Sequence, residues 1–280
     1  MAAIATKPAS EIDFETLVHT FNNGYSGYTV PVNIDAHQLR HHIEQNDIDL
    51  AASHVGLSSS KVIGVALLGI RADRGWIGGL GVSPDHRRQG IGRLLMEAII
   101  SSARQHHLRT VQLEVITDNT AAHELYLKLG FADTRCLLIL EQASATLPTL
   151  KTTMRVEFAT ATTLLDHHRI FQSRANPWQR APLSLKKSIQ SLSAWQVTEG
   201  DSILAYVIGQ TTDSTIQIWD TGFKEGHEDA LQDILIQVHQ HHPTATGRLL
   251  NMADDDPAWP ILQALGYQIM LRQHEMALAL

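Results

Sequence analysis

Cysteine is nearly absent: Cys136 is the only one among 280 residues. No intrachain disulfide can staple the fold, and neither an H-E-x-x-H motif nor a Cys/His cluster appears in the sequence. No apolar run approaches the ~18 residues of a membrane span. The first residues, Met1-Ala-Ala-Ile-Ala-Thr-Lys7, carry neither the basic start nor the long apolar core of a signal peptide. These absences point to a soluble, cytoplasmic protein. Basic residues are outnumbered, 22 Lys and Arg against 29 Asp and Glu, for a formal charge of −7. That balance argues against nucleic acid or an anionic membrane as partner. Two phosphate-binding signatures are missing as well. There is no G-x-x-x-x-G-K-S/T, which removes a P-loop nucleotide hydrolase. There is no G-x-G-x-x-G after a strand with an acidic residue about 20 positions on, which disfavours a dinucleotide fold.

What is present is a different glycine-punctuated turn, Leu80-Gly-Val-Ser-Pro-Asp-His-Arg-Arg-Gln-Gly-Ile-Gly92. It reads as a buried strand that breaks at Pro84 and re-enters a helix. Backbone N–H groups at such a helix start, together with the helix dipole, favour a bound phosphate. Gly90 and Gly92 lack Cβ atoms where a ligand must approach the backbone, and Arg87 and Arg88 add positive charge. Ile91, Leu94, Leu95, Ala98, Ile99 and Ser102 then follow helical spacing, ending near His106-His107. Thr110–Ile116 is rich in β-branched residues and reads as a strand. Asn119-Thr-Ala-Ala-His-Glu-Leu-Tyr-Leu-Lys-Leu-Gly-Phe131 follows, with Asn119 suited to a helix N-cap and Gly130 to the helix exit.

The turn, with R-x-x-G-x-G at Arg87, Gly90 and Gly92 after a Leu-x-Val strand (Leu80, Val82), resembles the acetyl-CoA loop of the GCN5-related N-acetyltransferases (GNAT). The run from Asn119 to Phe131 resembles that family's second signature, N-x-x-A-x-x-L-Y-x-x-x-G-F, at every defined position. The resemblance covers residues 60–135 closely. It implies that the turn around Arg87, Arg88, Gln89, Gly90, Ile91 and Gly92 holds the pyrophosphate of acetyl-CoA. It also implies that Leu80 and Val82 flank the pantetheine arm and that Asn119 contacts it. No metal is implied.

A weaker second copy follows. With Gly266 set on Gly130, Tyr267 falls on Phe131, Ile261 on Leu125, Ala258 on Ala122 and Asp255 on Asn119. Ser202–Gly209, Thr215–Phe223, Ala230–His239 and Gly247–Met252 repeat the earlier elements in order. The expected architecture is an α/β (α+β) chain of two tandem GNAT-like domains, residues 1–145 and 150–280. Each would be a mixed, mostly antiparallel sheet flanked by helices. The junction is expected in 142–153, which is polar and contains Pro148. Between Phe223 and Ala230 the second copy has no arginine and three acidic residues, and Leu262 stands where the first has Tyr126. Loss of cofactor binding is expected there, leaving a structural or pocket-forming role.

Acetyl transfer to an amine needs a proton acceptor for the amine, a donor for the developing oxyanion and a proton for the leaving thiolate. The resemblance places the acid at Tyr126 and the oxyanion donor at the Val82 N–H. Glu114 is the candidate base: it lies mid-strand among apolar neighbours and five residues before Asn119, the spacing of the base in ribosomal-protein N-terminal acetyltransferases. A surface glutamate on a half-exposed strand is the competing reading. Tyr25 and Tyr28, in an aromatic, glycine-broken segment, are candidates for substrate contact, against plain loop packing. Half of the sixteen histidines fall in adjacent pairs, His41-His42, His106-His107, His167-His168 and His241-His242. Neighbours on a helix diverge by about 100°, so the pairs read as solvated helix ends rather than metal ligands. The expected activity is acetyl-CoA-dependent N-acetylation of a small-molecule or peptide amine by a monomer or homodimer. A non-catalytic acyl-CoA sensor or scaffold is the alternative.

Overall fold

The computed structural model describes residues 4–28, 32–142, 153–171 and 175–280. The chain divides into two compact units, Met1–Thr134 with Glu275–Leu280, and Arg135–His274. The division falls at Thr134/Arg135, upstream of the expected junction, most of which lies outside the described residues. Among the described residues no helix is long and apolar enough to cross a membrane.

The first unit contains β1 (Ile4–Pro8), α1 (Phe14–Gly24), α2 (Ala36–Gln45), β2 (His54–Ser58), β3 (Lys61–Arg71) and β4 (Arg74–Val82). It continues with α3 (Ile91–Gln105), β5 (Thr110–Ile116), α4 (Thr120–Lys128) and the start of β6 (Ala132–Gln142). Its strands lie in the order β1-β2-β3-β4-β5, all antiparallel except β4 with β5. The end of the chain supplies one more strand to this unit. Met276 and Leu278 are buried in its core with Leu95, Ile99, Leu113 and Phe131, and the Leu280 N–H donates to the Arg109 carbonyl at 3.0 Å.

Local signals explain the helix boundaries. The Asp13 carboxylate accepts from the Thr16 N–H at 2.9 Å to start α1. Asp35 and Gln38 form a reciprocal capping box on α2. The α3 helix buries Ile91, Leu95, Ile99 and Ser102 of the expected stripe together with Met96 and Ile100, while Leu94 and Ala98 are half-buried. Gly130, at φ +94°, closes α4 in the left-handed conformation that glycine favours.

The second unit repeats this order with β7 (Glu157–Ala159), α5 (Ala161–Phe171), α6 (Pro182–Lys187), β8 (Ser193–Glu199), β9 (Ser202–Thr211) and β10 (Thr215–Phe223). Then come α7 (Glu228–His241), β11 (Thr246–Ala253), α8 (Trp259–Ala264) and β12 (Gln268–Ala279), whose last residues belong to the first unit. Its strands run β6-β11-β10-β9-β8-β7, and only β10 and β11 are parallel.

Candidate active site

The first unit's site grows from an irregularity in β4. Leu67 pairs with Gly79 and Leu68 with Ile77, so Gly78 is an extra, bulged residue. A bulge reverses the in–out alternation. Before it, Ile77 joins the core under α3; after it, Leu80 and Val82 do. Trp76, Gly79 and Gly81 therefore share the opposite face, with α1 and α2. Gly78 itself must be small, since a Cβ there would lie 2.5 Å from the Trp76 ring. The parallel β4–β5 ladder runs only from Arg74/Thr110 to Trp76/Gln112, yet β4 continues to Val82 and β5 to Ile116. Beyond the bulge the two strands have parted.

Glu114 lies in this opening, half-buried, on the β5 face opposite Leu113 and Val115. Its Oε2 accepts the Trp76 indole N–H at 2.8 Å. A charge-assisted bond of this kind fixes the carboxylate's position. His42 supports the same group: its Nε2 donates to the Gly78 carbonyl at 2.9 Å, and its ring meets Trp76 edge-on, centroids 5.9 Å apart. The Asn46 amide donates to the other ring nitrogen at 3.3 Å, which matches a neutral imidazole carrying its proton on Nε2. Burial holds the His42 pKa below the usual histidine range. His42 therefore departs from the expectation of a solvated helix end, because the bulge presents it with a carbonyl. By contrast His106 and His241 do cap their own helices, through Ser102 and Gln237 carbonyls. Trp76 and His42 were both missed as site residues. The one available signal was Gly78-Gly79 within a strand, since paired glycines there mark a bulge or a close approach.

The Ser83–Gly92 turn is built as an amide cradle. Gly90 is the N-cap of α3 at φ +82°, and no side chain caps that helix. Arg88, at φ +60°, is also left-handed. A Cβ at Gly90 would meet nothing within 4 Å, and one at Gly92 would meet only Leu125 at 3.6 Å. The protein's own packing does not demand a glycine at 92, and the space above the amides stays open. Arg88 and Gln89 are exposed beside it. These features fit a phosphate ligand. Arg87 is differently engaged: its guanidinium donates to the carbonyls of Val82 (3.0 Å), Gly24 (3.1 Å) and Ser26 (2.7 Å). It ties the end of β4 to the segment after α1. The Asn23 amide adds a second tie to the Ser83 hydroxyl at 2.9 Å. Between them the Gly24 and Gly81 backbones touch, so a Cβ on either would fall within 2.9 Å of the other's Cα.

These ties place the tyrosines. The rings of Tyr25 and Tyr28 meet edge to face at 5.6 Å, and Phe21 lies 4.9 Å from Tyr25. Burial pushes the Tyr25 pKa up to about 12, opposed by a backbone hydrogen bond from Leu80. Asn119 works in two directions: its Oδ1 accepts from the Ala122 N–H at 3.3 Å, while its Nδ2 donates to the Tyr28 hydroxyl at 3.3 Å. Tyr126 is 6% exposed, and burial first, then Tyr25 and Tyr28, push its pKa up. The phenol is thus fully protonated at neutral pH. Among the described residues no hydrogen bond engages its hydroxyl. The Ser83 N–H donates to the Ile63 carbonyl, so the adjacent Gly64/Val82 pair is a non-bonded one, and the Val82 N–H points away from β3.

The second unit keeps the scaffold and changes the chemistry. It too has a bulge, at Trp219 in β10, and its β10–β11 ladder stops at Ile218/Leu249. Its turn is filled by its own acids: Glu228 accepts from the Gly226 N–H at 3.4 Å and Asp229 from the Ala230 N–H at 2.9 Å.

The first unit is thus a mixed sheet whose β4 and β5 part beside an open helix start, with the Glu114 carboxylate in the opening. Residues 18–131 match the model of the acetyltransferase (GNAT) family, and the first unit belongs to that family. The chain is 36% identical over 73 residues to the ribosomal protein bS18-alanine N-acetyltransferase of Escherichia coli (strain K12), 26% of this chain and 49% of that one. It is 39% identical over 67 residues to N-alpha-acetyltransferase 60 of Drosophila melanogaster, 23% of this chain and 24% of that one. The chain thus spans about half the length, or less, of these relatives. Over its whole length it has the fold of a tandem GNAT protein from the clavulanic acid biosynthesis pathway. The TM-score is 0.73 at 14% identity, covering 99% of this chain and 98% of that one. A GCN5-related N-acetyltransferase from Sphaerobacter thermophilus is similar in fold, with TM-score 0.73, 15% identity and 99% and 95% coverage.

Proposed function

We propose that the chain is an acetyl-CoA-dependent N-acetyltransferase acting on a primary amine of a small molecule or peptide, and that the first unit alone is catalytic. The observation that carries this reading is the Trp76–Glu114 hydrogen bond in the opening between β4 and β5, on the strand that leads into Asn119 and Tyr126. Acetyl-CoA, when bound, supplies the acetyl thioester. The amides from Arg88 to Gly92 would hold its pyrophosphate, and Leu80, Val82 and Asn119 its pantetheine arm. Glu114, oriented by Trp76, takes a proton from the acceptor amine. The Val82 N–H faces the oxygen on which negative charge develops. Tyr126 Oη holds a proton for the departing sulfur, which its raised pKa keeps in place. Tyr25 and Tyr28 form the wall against the amine. The second unit lacks the cradle because Glu228 and Asp229 occupy its turn.

Isothermal titration with acetyl-CoA tests the reading first. One site per chain is expected, abolished by Gly90→Glu, which puts a carboxylate and a strained φ where the pyrophosphate sits. Release of free thiol with an amine panel follows, including a peptide that begins with alanine, the residue in the name of the E. coli relative. Two cofactor sites, or none at millimolar concentration, would overturn the assignment.

A further inference from the structure

A bulged strand leaves a carbonyl for a side chain to take, and each unit answers that need in its own way. In the second unit Arg180 donates to the Trp219 carbonyl at 2.7 Å. In the first, His42 Nε2 donates to the Gly78 carbonyl at 2.9 Å, and the same imidazole meets the Trp76 indole edge-on.

That imidazole is tightly held. The Asn46 amide lies 3.3 Å from its Nδ1 and is itself tied to the His42 carbonyl at 3.0 Å, and Asn46 is buried. The Phe21 ring stands 6.3 Å away. With both nitrogens engaged, the ring cannot turn without breaking a hydrogen bond. Gly78, which it binds, also touches the indole: a Cβ there would lie 2.5 Å from Trp76 Cζ3. His42 therefore sets the indole from two directions, at its edge and through the backbone it packs on. Trp76 is buried, so its ring cannot swing out to water, and its N–H ends on Glu114 Oε2. A misplacement of about 1 Å at a reacting group can cost ~100-fold in rate.

We infer that His42 is a positioning residue: it holds the Trp76 indole so that its N–H keeps the Glu114 carboxylate in place in the opening between β4 and β5. Its effect on rate rests on Glu114 being the base; its hold on the indole rests on the packing alone.

Two readouts keep these apart. The first is the nuclear magnetic resonance signal of the Trp76 indole proton in a chain labelled at its five tryptophans, assigned by its loss in Trp76→Phe. A charge-assisted bond deshields that proton, so Glu114→Gln should move it upfield. His42→Phe keeps a ring beside Trp76 but cannot donate to Gly78, and should move it the same way. His42→Gln carries an amide N–H that can reach the carbonyl and should restore it. The second readout is acetyl transfer. His42→Phe should lower kcat/KM about tenfold or more, with the loss in kcat, while His42→Gln stays within about threefold of the unaltered chain. Acetyl-CoA affinity should stay within about twofold in both. His41→Gln, at the exposed neighbour, should change neither readout. If His42→Phe does not fold, His42→Asn, polar but too short to reach Gly78, takes its place. An indole proton that stays in place in the donor-less variant, an unchanged kcat/KM when it moves, or a Gln variant as impaired as the Phe variant would each overturn the inference. A chain that transfers no acetyl group to any amine would overturn the functional reading instead, and the indole proton would still decide whether His42 holds Trp76 on Glu114.

Discussion

Trp76→Phe is the perturbation that most directly separates a held carboxylate from a surface one. The indole N–H lies 2.8 Å from Glu114 Oε2, and Trp76 is 2% exposed, so no water can take over the bond without a rearrangement. A hydrogen bond to a charged group contributes about 1.5–3 kcal/mol. If that bond sets the base's position, its loss should appear in the barrier as a fall of roughly 10- to 100-fold in kcat/KM. Phenylalanine also leaves part of the indole volume empty, which should cost about 1–2 kcal/mol of stability. The two effects are separable. Calorimetry reads the second as a lowered Tm, and initial rates of thiol release read the first. In a Glu114→Gln background, Trp76→Phe should still lower Tm but cause no further loss of rate, since the base that Trp76 orients is gone. Full kcat/KM in the single variant, or additive rate losses in the double, would refute the argument that Trp76 orients the base.

Tyr126→Phe should reduce turnover strongly while acetyl-CoA affinity stays within about twofold, as read by titration; full activity would remove Tyr126 as the acid. Gly81→Ala sets a Cβ 2.9 Å from the Gly24 Cα, a contact between two backbones that no rotamer can relieve. It should cost about 1–3 kcal/mol in chemical denaturation and raise KM for the amine by displacing Tyr25 and Tyr28. Burial lowers the pKa of His239 to about 4, and those of His42 and His54 in the same direction. The unfolded chain then binds protons near pH 6.5 that the folded chain refuses, so stability should fall as pH drops from about 6.5 toward 4. His239 contributes at most about 3 kcal/mol to that fall. His239→Gln should flatten the pH dependence of the denaturation midpoint, and an unchanged slope would show that His239 is not held neutral.

Much of this was legible because it rests on local rules. The α3 stripe, the Asn119 cap, the Gly130 exit and the order of elements in both copies follow from spacing and from residues with one strong conformational preference. Other features depend on what is distant in sequence. That Met276 and Leu278 complete the core of the first unit cannot be read from the C-terminus itself, which is an ordinary alternating strand. Arg87 reads as a phosphate ligand by its place in the turn, but three carbonyls lie within its reach, two of them some 60 residues away in sequence, at Gly24 and Ser26.

The bulges carry the deepest part of the difference between the two units. Both copies break the fourth strand of the repeat at one extra residue, and in both the bulged carbonyl is taken by a nitrogen side chain from the helical segment between the first two strands. In the first unit the pair is Gly78 and neutral His42; in the second it is Trp219 and charged Arg180. Beside the neutral imidazole, Trp76 donates to the Glu114 carboxylate at the opening. A buried guanidinium brings Asp220 and Asp256 with it, because an isolated charge at that depth would be far more costly than a balanced one. Exchanging them should therefore fail in opposite ways. Arg180→His would leave Asp220 and Asp256 without their countercharge, and the second unit should lose several kcal/mol, about 3–5 by the usual cost of breaking a buried charge network. His42→Arg would bring a cation toward Glu114 and should suppress its action as a base more than it lowers stability. Denaturation curves and rates measured on the two variants would decide whether the bulge partner, rather than the cofactor turn alone, determines which chemistry each copy can support.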